Sequence, residues 1–253
     1  MTSASPVLVL RPQPGADETV AELRARGWQA MARPVIATEA LPESSETRAR
    51  VQRLDEFDVI IFVSPAAVRF GMPRLDQFWP QYPQRLLWLA VGERTRAELA
   101  AWDLDALCPP DARTEGLLAF APLRETSVER VLLVRGEGGR ETLAETLAER
   151  GMRVEHLVVY ARRPQQVELP APDAVAAVVA TSSDVVDAFL ACGGKTFAER
   201  PLLVPSERVA DHARAAGFVR VRDMGGAGAA ATVRALLDLG LAPTSGGTHG
   251  GQQ

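Results

Sequence analysis

The sequence predicts an α/β fold of two similar parallel-sheet domains, flavodoxin-like or Rossmann-like, with one domain inserted into the other. Three observations predict it. Short apolar runs alternate with segments of helical period, the same patterns occur twice along the chain, and two Pro-interrupted segments separate the copies. The chain has 253 residues, of which 47% are hydrophobic, so it is long enough for two packed cores.

Strands are expected where β-branched residues and leucine cluster in short runs. These runs are Val7 to Pro12, Val59 to Val63, Leu86 to Val91, Asp105 to Cys108, Val131 to Arg135, Val154 to Tyr160, Ala177 to Thr181, Leu202 to Pro205 and Val219 to Arg222. Helices are expected between them, among others at Asp17 to Arg26, Arg94 to Trp102, Glu141 to Arg150, Asp184 to Cys192, Arg208 to Ala216 and Ala229 to Leu239. Residues 241–253 show no apolar period and are expected to be disordered.

Three patterns recur in the second half of the chain at similar spacing. VLVLRPQPGADETVAELRARG from Val7 matches VLLVRGEGGRETLAETLAERG from Val131, VIIFVSPAAV from Val59 matches AVVATSSDVV from Ala177, and VGERTRAEL from Val91 matches PSERVADHA from Pro205. Both a tandem and a nested arrangement accommodate these repeats. The tandem arrangement divides the chain into 1–125 and 126–240, with only Glu125 to Ser127 at the boundary.

The nested arrangement joins residues 1–36 and 165–240 into a discontinuous first domain. Residues 39–163 then form an inserted, circularly permuted copy. We expect nesting, because the Pro-interrupted segments Arg33 to Pro42 and Gln165 to Pro172 lie at its boundaries as linkers. Two linker crossings also predict a cleft between the domains in which a ligand binds.

Composition excludes several classes of protein. The net charge of −4 argues against a nucleic-acid partner, and no apolar run is long enough for a membrane span. The N-terminus has no basic, signal-like segment, so a cytoplasmic location is expected. We expect a monomer, since no heptad or apolar stripe suggests a partner. Cys108 and Cys192 lie far apart and only three histidines are present, which disfavours a zinc site or a disulfide framework.

No cofactor is expected either. The RGEGGRE segment lacks the GxGxxG spacing, and no GxxxxGK[ST] motif occurs. Motifs for a nucleophile or a metal hydrolase are also missing from the sequence. His156 alternates with Val154 and Val158 in one strand and is expected to pack structurally or at a sheet edge.

Strand-to-helix turns with Ser, Thr or Gly occur in both halves, at RPQPG, VSPAA, VGERT, RGEGG, TSSD and PSER. Such turns lie at the carboxyl ends of parallel strands, where helix N-termini attract anions. Capping explains each turn singly, but their repetition predicts a site for a polyanion. Tyr160 ends a strand just before ARRP. It is either a structural tyrosine or a weak acid that donates a proton.

The ordered set VLVLRP, FVSPAAV, VGERTRAEL, VLLVRGEGGRETLAETL, VEHLVVYARRP, VVATSSDVVDAF and VPSERVADHARAAG resembles the uroporphyrinogen-III synthase family over roughly residues 7–240. The resemblance implies two α/β domains joined by a two-stranded linker, an active site in the cleft, and no metal or cofactor. Members close hydroxymethylbilane, an open-chain tetrapyrrole with eight carboxylates, to uroporphyrinogen III in haem biosynthesis. Water is lost and ring D is inverted, through an azafulvene and a spiro-pyrrolenine; without the enzyme, the bilane closes to isomer I.

The resemblance also implies roles for individual residues. Tyr160 is expected to assist the departure of water. The expected substrate-binding residues are Arg11, Ser64, Gly92, Thr95, Arg135, Gly136, Ser182, Ser183 and Ser206. Two positions depart from the family pattern: Val63 stands in place of a threonine, and Ser206 stands in place of a threonine or proline.

Three other functions stay open at this point. The chain could be a non-catalytic two-domain module that binds a small anion, although modules of the periplasmic kind usually carry a signal peptide. It could be a glycosyltransferase-like enzyme, which would need a nucleotide-sugar site and a longer chain. It could also be a relative of the synthase that has lost its activity.

Overall fold

The computed structural model describes residues 5–111, 114–124, 128–139 and 141–243. The tail predicted to be disordered begins at residue 241, but Leu241 packs against an apolar cluster of the first unit and its N–H donates to the Leu236 carbonyl at 3.1 Å, so the prediction was wrong at this residue. The tail from residue 244 onward, and the tandem boundary at Glu125 to Ser127, lie outside the described residues. The chain separates into two compact units. The first contains the residues up to Ala37 and those from Arg163 onward, and the second is Thr38–Arg162. That the second unit is an inserted copy of the first stays a prediction.

Ten strands and nine helices are numbered here along the described chain. The strands are β1 (Val7–Val9), β2 (Ala30–Ala32), β3 (Ile36–Ala40), β4 (Val59–Phe62), β5 (Leu87–Ala90), β6 (Arg130–Gly136), β7 (Arg153–Pro164), β8 (Ala177–Val179), β9 (Leu202–Val204) and β10 (Val221–Asp223). The helices are α1 (Gly15–Ala25), α2 (Ser45–Gln52), α3 (Pro65–Phe78), α4 (Glu93–Ala100), α5 (Thr114–Ala119), α6 (Thr142–Glu149), α7 (Ser183–Ala191), α8 (Glu207–Ala215) and α9 (Ala229–Asp238).

The parallel-sheet α/β class is confirmed in both units. The first sheet has the order β10-β9-β8-β1-β2, with all its pairs parallel. The second has the order β3-β7-β6-β4-β5, in which β4 runs parallel to β5 and β6, and β6 parallel to β7. Numbered along the chain, the first sheet reads 2-1-3-4-5, the flavodoxin-like order.

The second sheet gives the same order when counting begins at β6. Its strands β7, β6, β4 and β5 then read 2-1-3-4, and Leu107 forms a parallel bridge to Leu89 beyond them, at the fifth place. This order supports the predicted circular permutation. In both units the strand order reverses once, between β1 and β8 and between β6 and β4. Open α/β sheets bind ligands at such a reversal, outside the carboxyl ends of the strands.

Both faces of each sheet are buried, as expected for parallel strands covered by helices. In β4, the side chains of Ile60 and Phe62 join one apolar cluster and those of Val59 and Ile61 join another. All four residues are at most 1% exposed. The alternation places successive side chains on opposite faces of the sheet, so a continuous apolar run in the sequence is what such a strand requires.

Three predicted element positions were wrong. Asp105 to Cys108 forms only the bridge at Leu107, because Pro109 and Pro110 follow at once and proline has no N–H for a sheet ladder. The last strand begins at Val221 rather than Val219, whose side chain is 65% exposed. The strand expected to end at Tyr160 continues as β7 through the ARRP segment to Pro164, so Tyr160 lies within a strand. The boundary between the two units, between Ala37 and Thr38, falls inside the predicted linker Arg33 to Pro42, where β3 pairs with β7. In the part of the chain that the structure describes, no helix is long and apolar enough to cross a membrane.

An ion-pair network fixes β7 in the second unit. The Glu155 carboxylate accepts hydrogen bonds from Arg50 at 3.0 Å, from Arg53 at 3.5 Å and from Arg130 at 3.1 Å. Burial alone would raise the pKa of Glu155, but the hydrogen bonds from Arg50 and Arg130 outweigh it and hold the pKa below its usual range. The network therefore ties α2 and β6 to the strand that carries His156 and Tyr160.

Candidate functional site

Two of the predicted site residues meet at the carboxyl end of the second sheet, where the strand order reverses. Ser64 follows β4 and begins α3; its Oγ accepts a hydrogen bond from the Ala67 N–H at 3.1 Å. The same oxygen lies 3.1 Å from the hydroxyl oxygen of Tyr160, and either can be the donor. The sequence predicts both residues at strand ends. Ser64 does lie after β4, whereas Tyr160 lies within β7, and the structure joins the two in one hydrogen-bonded pair.

Gly136 is the reason that the Tyr160 ring fits there. The register between β6 and β7 shifts after Arg135, so that Gly136 pairs with Tyr160; such bulges re-aim side chains. A Cβ atom on Gly136 would lie 2.5 Å from the Tyr160 Cε2 and Cζ atoms. The tyrosine is 6% exposed and its ring centroid lies 5.9 Å from that of Phe70. The hydroxyl is therefore held by a ring with little freedom to move.

Arg135 is the residue of β6 just before this register shift, and it is almost completely buried, at 5% exposure. Its Nη1 donates to the Glu141 carboxylate at 2.9–3.0 Å and contacts His156 Nδ1 at 3.3 Å, while Nε donates to the Gly136 carbonyl at 3.4 Å. Since an arginine has no acceptor, the Nδ1 atom of His156 must accept. That requires an imidazole whose proton is on Nε2.

The surroundings of His156 favour this neutral form. Burial lowers the pKa of His156, and the charge of Arg135 lowers it further, with a smaller effect in the same direction from Arg50. The Glu141 carboxylate raises the pKa of His156, but not enough to reverse the shift. At neutral pH the ring is therefore uncharged and serves Arg135 as a hydrogen-bond acceptor.

An open pocket of about 570 Å³ lies beside this group, entirely within the second unit. Its polar walls come from the β6–α6 turn, from β7 and from the start of α2. They include Ser44, Thr47, Arg135, Gly136, Glu141 and His156. The pocket combines a buried cation, hydroxyl groups and an open mouth, which suits a carboxylate of a larger molecule.

Gly92 and Thr95 lie at another strand end of the second unit. Gly92 precedes α4, and its carbonyl accepts hydrogen bonds from the Thr95 and Arg96 N–H groups at 3.0 Å. Thr95 is 4% exposed, so its hydroxyl presents very little surface to a ligand. The backbone at the start of α4 is the more accessible part of this turn for an anion.

The other four predicted residues lie in the first unit, also after strands. Arg11 follows β1, and its Nη1 donates to Thr19 Oγ1 at 3.0 Å. Ser182 caps α7, with its Oγ accepting from the Val185 N–H at 3.3 Å, and Ser183 is the first residue of that helix. Ser206 has the N-cap position of α8 but makes no capping hydrogen bond with its side chain. Arg11, Ser182 and Ser183 lie beside the strand reversal between β1 and β8, whereas Ser206 follows β9, one strand farther from it.

Sequence reasoning missed two members of the site. It assigned His156 a structural role, and it noted Glu141 only as the start of a helix. Alternation along β7 did place His156 and Val158 on one face, and both line the pocket. Across the described residues, no group of three or more His, Cys, Asp or Glu side chains is arranged to hold a metal ion.

Comparisons with known proteins agree on one family. The family model described as uroporphyrinogen-III synthase HemD matches residues 17–222. The chain is 30% identical to the uroporphyrinogen-III synthase of Salmonella typhimurium, with 91% of this chain and 99% of that protein covered. It is 29% identical to the synthase of Escherichia coli, again with 91% and 99% covered.

Solved structures agree on the fold. A crystal structure of uroporphyrinogen III synthase from Thermus thermophilus, a mutant form, matches with a TM-score of 0.57 and 20% identity over 93% of this chain and all of that one. The synthetase from Helicobacter pylori matches with a TM-score of 0.58 and 16% identity over 93% and 99%. At these identities the likeness concerns the fold alone. The match of the family model to most of the sequence shows that this chain belongs to the uroporphyrinogen-III synthase family.

Proposed function

We propose that the chain closes hydroxymethylbilane to uroporphyrinogen III, with loss of water and inversion of ring D, as a lyase of haem biosynthesis. The observation that carries this proposal is membership of the synthase family over residues 17–222. Relatives that match nearly full length are named as this enzyme. Non-catalytic anion binding, the alternative kept open by the sequence, is favoured by none of these comparisons.

The main task of such an enzyme is to select the orientation in which ring D closes, because the bilane closes to isomer I without help. Fixing the end ring in one near-attack conformer is an orientation effect, which can be worth several kcal/mol. Turns rich in backbone N–H groups suit this role. In the proposal, carboxylates of the substrate bind at the helix N-termini that carry Ser64, Gly92, Thr95, Ser182, Ser183 and Ser206, with Arg11 and Arg135 adding charge.

Tyr160 is the proposed proton donor to the leaving hydroxyl. The C–O bond of the hydroxymethyl group breaks, the Tyr160 proton goes to the departing oxygen, and water leaves. Ser64, at 3.1 Å, donates its own hydroxyl proton to the phenolic oxygen while negative charge develops there. In this arrangement the serine proton faces the tyrosine and the tyrosine proton is free to face the substrate.

Incubation with freshly made hydroxymethylbilane tests the proposal. The products, oxidised to porphyrins and separated by isomer, should contain uroporphyrin III well above the amount formed in buffer. A product mixture equal to that in buffer would contradict the proposed reaction. A monomeric state and a cytoplasmic location are part of the same proposal, and light scattering and cell fractionation test them.

A further inference from the structure

We propose that the pocket beside Arg135 takes one carboxylate of the substrate, and that Glu141 occupies this place as an internal carboxylate when no ligand is bound. The inference deepens the proposed function and rests on it. It gives His156 a role as a positioning residue, which holds the Arg135 guanidinium toward the pocket.

The mismatch in burial between Arg135 and Glu141 is the first observation. The arginine side chain is 6% exposed and that of its partner is 56% exposed. Among the described residues, Glu141 is the one carboxylate within ion-pair distance of this guanidinium. Removal of a buried cation from water is costly unless an anion remains beside it, whereas a half-exposed carboxylate at a helix start can leave at little cost. Another carboxylate can therefore replace Glu141, but the cation itself must stay.

His156 fixes the direction of the guanidinium. Its Nδ1 lies 3.3 Å from Arg135 Nη1, and the backbone carbonyl of the same histidine accepts a hydrogen bond from Arg50 Nη1 at 2.5 Å. Arg50 in turn is bound to Glu155. The charged and titratable groups that face the imidazole are thus Arg135 on β6, Glu141 before α6 and Arg50 on α2.

The hydroxyl groups of two residues, Ser44 and Thr47, also line this pocket. Ser44 Oγ accepts from the Thr47 N–H at 3.0 Å and lies 3.0 Å from Thr47 Oγ1. The Arg135 Nε bond to the Gly136 carbonyl connects the pocket to the residue that packs against Tyr160. A carboxylate bound at Arg135 would lie next to Gly136, the residue of β6 that pairs with Tyr160, the proposed proton donor on β7.

Gly139 adds a steric requirement for the same guanidinium. A Cβ atom at this position would lie 2.7 Å from Arg135 Nη2. Any side chain there would displace the terminal nitrogen from its place. The guanidinium therefore has room for its present position because residue 139 is a glycine.

Kinetics of Glu141→Gln with hydroxymethylbilane test the proposal. Loss of the competing charge should lower KM about two- to fivefold, the range expected for a half-exposed ion pair. Glu141→Asp, which moves the charge away by one methylene, should lower KM to a smaller extent and guards against a folding defect in the first variant. Glu22→Gln removes an exposed pair with Arg26 far from the pocket in sequence and should leave KM unchanged. An unchanged or raised KM in both Glu141 variants would overturn the proposal.

His156 is tested by two variants with different chemistry. His156→Leu removes the acceptor for Arg135 and should raise KM about fivefold, the effect of one lost hydrogen bond. His156→Asn can offer its side-chain oxygen near the position of Nδ1 and should restore KM to within about twofold. A purely structural histidine would give equal defects in both variants, and that result would contradict its positioning role.

A binding experiment separates this inference from the proposed reaction. In protein labelled with ¹⁵N-histidine, sodium propionate should shift the His156 ring signals of the wild type, and should do so at two- to fivefold lower concentration in Glu141→Gln. Signals that stay unmoved in both proteins would refute the pocket, even if the wild type forms isomer III. Shifts in a protein that forms no isomer III would instead support the pocket and contradict the proposed reaction.

Discussion

Substitution of Gly136 by alanine is the sharpest test of how the site is held together. The added Cβ would lie 2.5 Å from two atoms of the Tyr160 ring, whereas carbon atoms in contact are ordinarily about 3.5–4 Å apart. The ring must therefore retreat by roughly 1 Å. It is packed against Phe70 on one side and hydrogen-bonded to Ser64 at 3.1 Å, so this movement breaks the hydrogen bond.

The expected cost follows from two terms. Overpacking in a buried site costs about 1–3 kcal/mol, and loss of the Tyr160–Ser64 hydrogen bond costs about 1 kcal/mol. The free energy of unfolding in urea should thus fall by roughly 2–4 kcal/mol. Misplacement of a reacting group by 1 Å reduces turnover by about 100-fold, so kcat for isomer III should fall to a similar extent.

Gly228→Ala is the matched control for this substitution. A Cβ atom there meets nothing within 4 Å, and the backbone φ of −85° suits alanine. We expect a change in unfolding free energy of at most about 1 kcal/mol, from the altered N-cap, and no change in turnover. If Gly136→Ala behaves like Gly228→Ala, the close packing of Tyr160 is not what organises the site.

The remaining predictions concern three other positions. Tyr160→Phe should reduce kcat by about 100-fold or more if the hydroxyl is the general acid, and a variant with full turnover would remove Tyr160 from that role. Glu155→Gln should lower the unfolding free energy by about 1–3 kcal/mol in urea denaturation, because three arginines lose the carboxylate charge that they share and one of its two acceptor oxygens, whereas Glu22→Gln should change it by less than about 0.5 kcal/mol; equal effects would show that the Glu155 network adds no stability. The folded-state pKa of His156 lies below its ordinary value of 6.5 because of burial and the charge of Arg135. The neutral imidazole of His156 therefore contributes to stability above pH 6.5, and this contribution is lost as the pH falls through the lowered pKa. The unfolding free energy of the wild type should then fall more steeply below pH 6.5 than that of His156→Asn. Parallel plots of unfolding free energy against pH for the two proteins would contradict this.

The fold class could be predicted because the strands of a covered parallel sheet are apolar on both faces. Val59–Phe62 shows this directly, since all four residues are buried. The strand-to-helix turn at VSPAA implied α3, which Ser64 caps, but α2 was not among the predicted helices although Ser44 is a capping serine of the same kind. A search for capping serines outside the repeated turns would have found α2 as well.

The contacts of the site could not be predicted in the same way. Tyr160 meets Ser64 because the β6–β7 register shifts between Arg135 and Gly136, and a bulge of this kind leaves no pattern in the sequence. His156 reaches Arg135 diagonally, since Leu133 is its direct partner across the strands. Which residues follow strands can thus be predicted from the sequence, whereas which of them touch depends on register.

In the proposed reaction, this chain directs ring closure to the isomer that the bilane does not form without help. A single-turnover reaction tests it most directly, with protein in excess over freshly prepared hydroxymethylbilane and the isomers resolved after oxidation. Nearly all of the product should be the type III isomer. Predominance of type I, under conditions in which the protein stays folded, would contradict it.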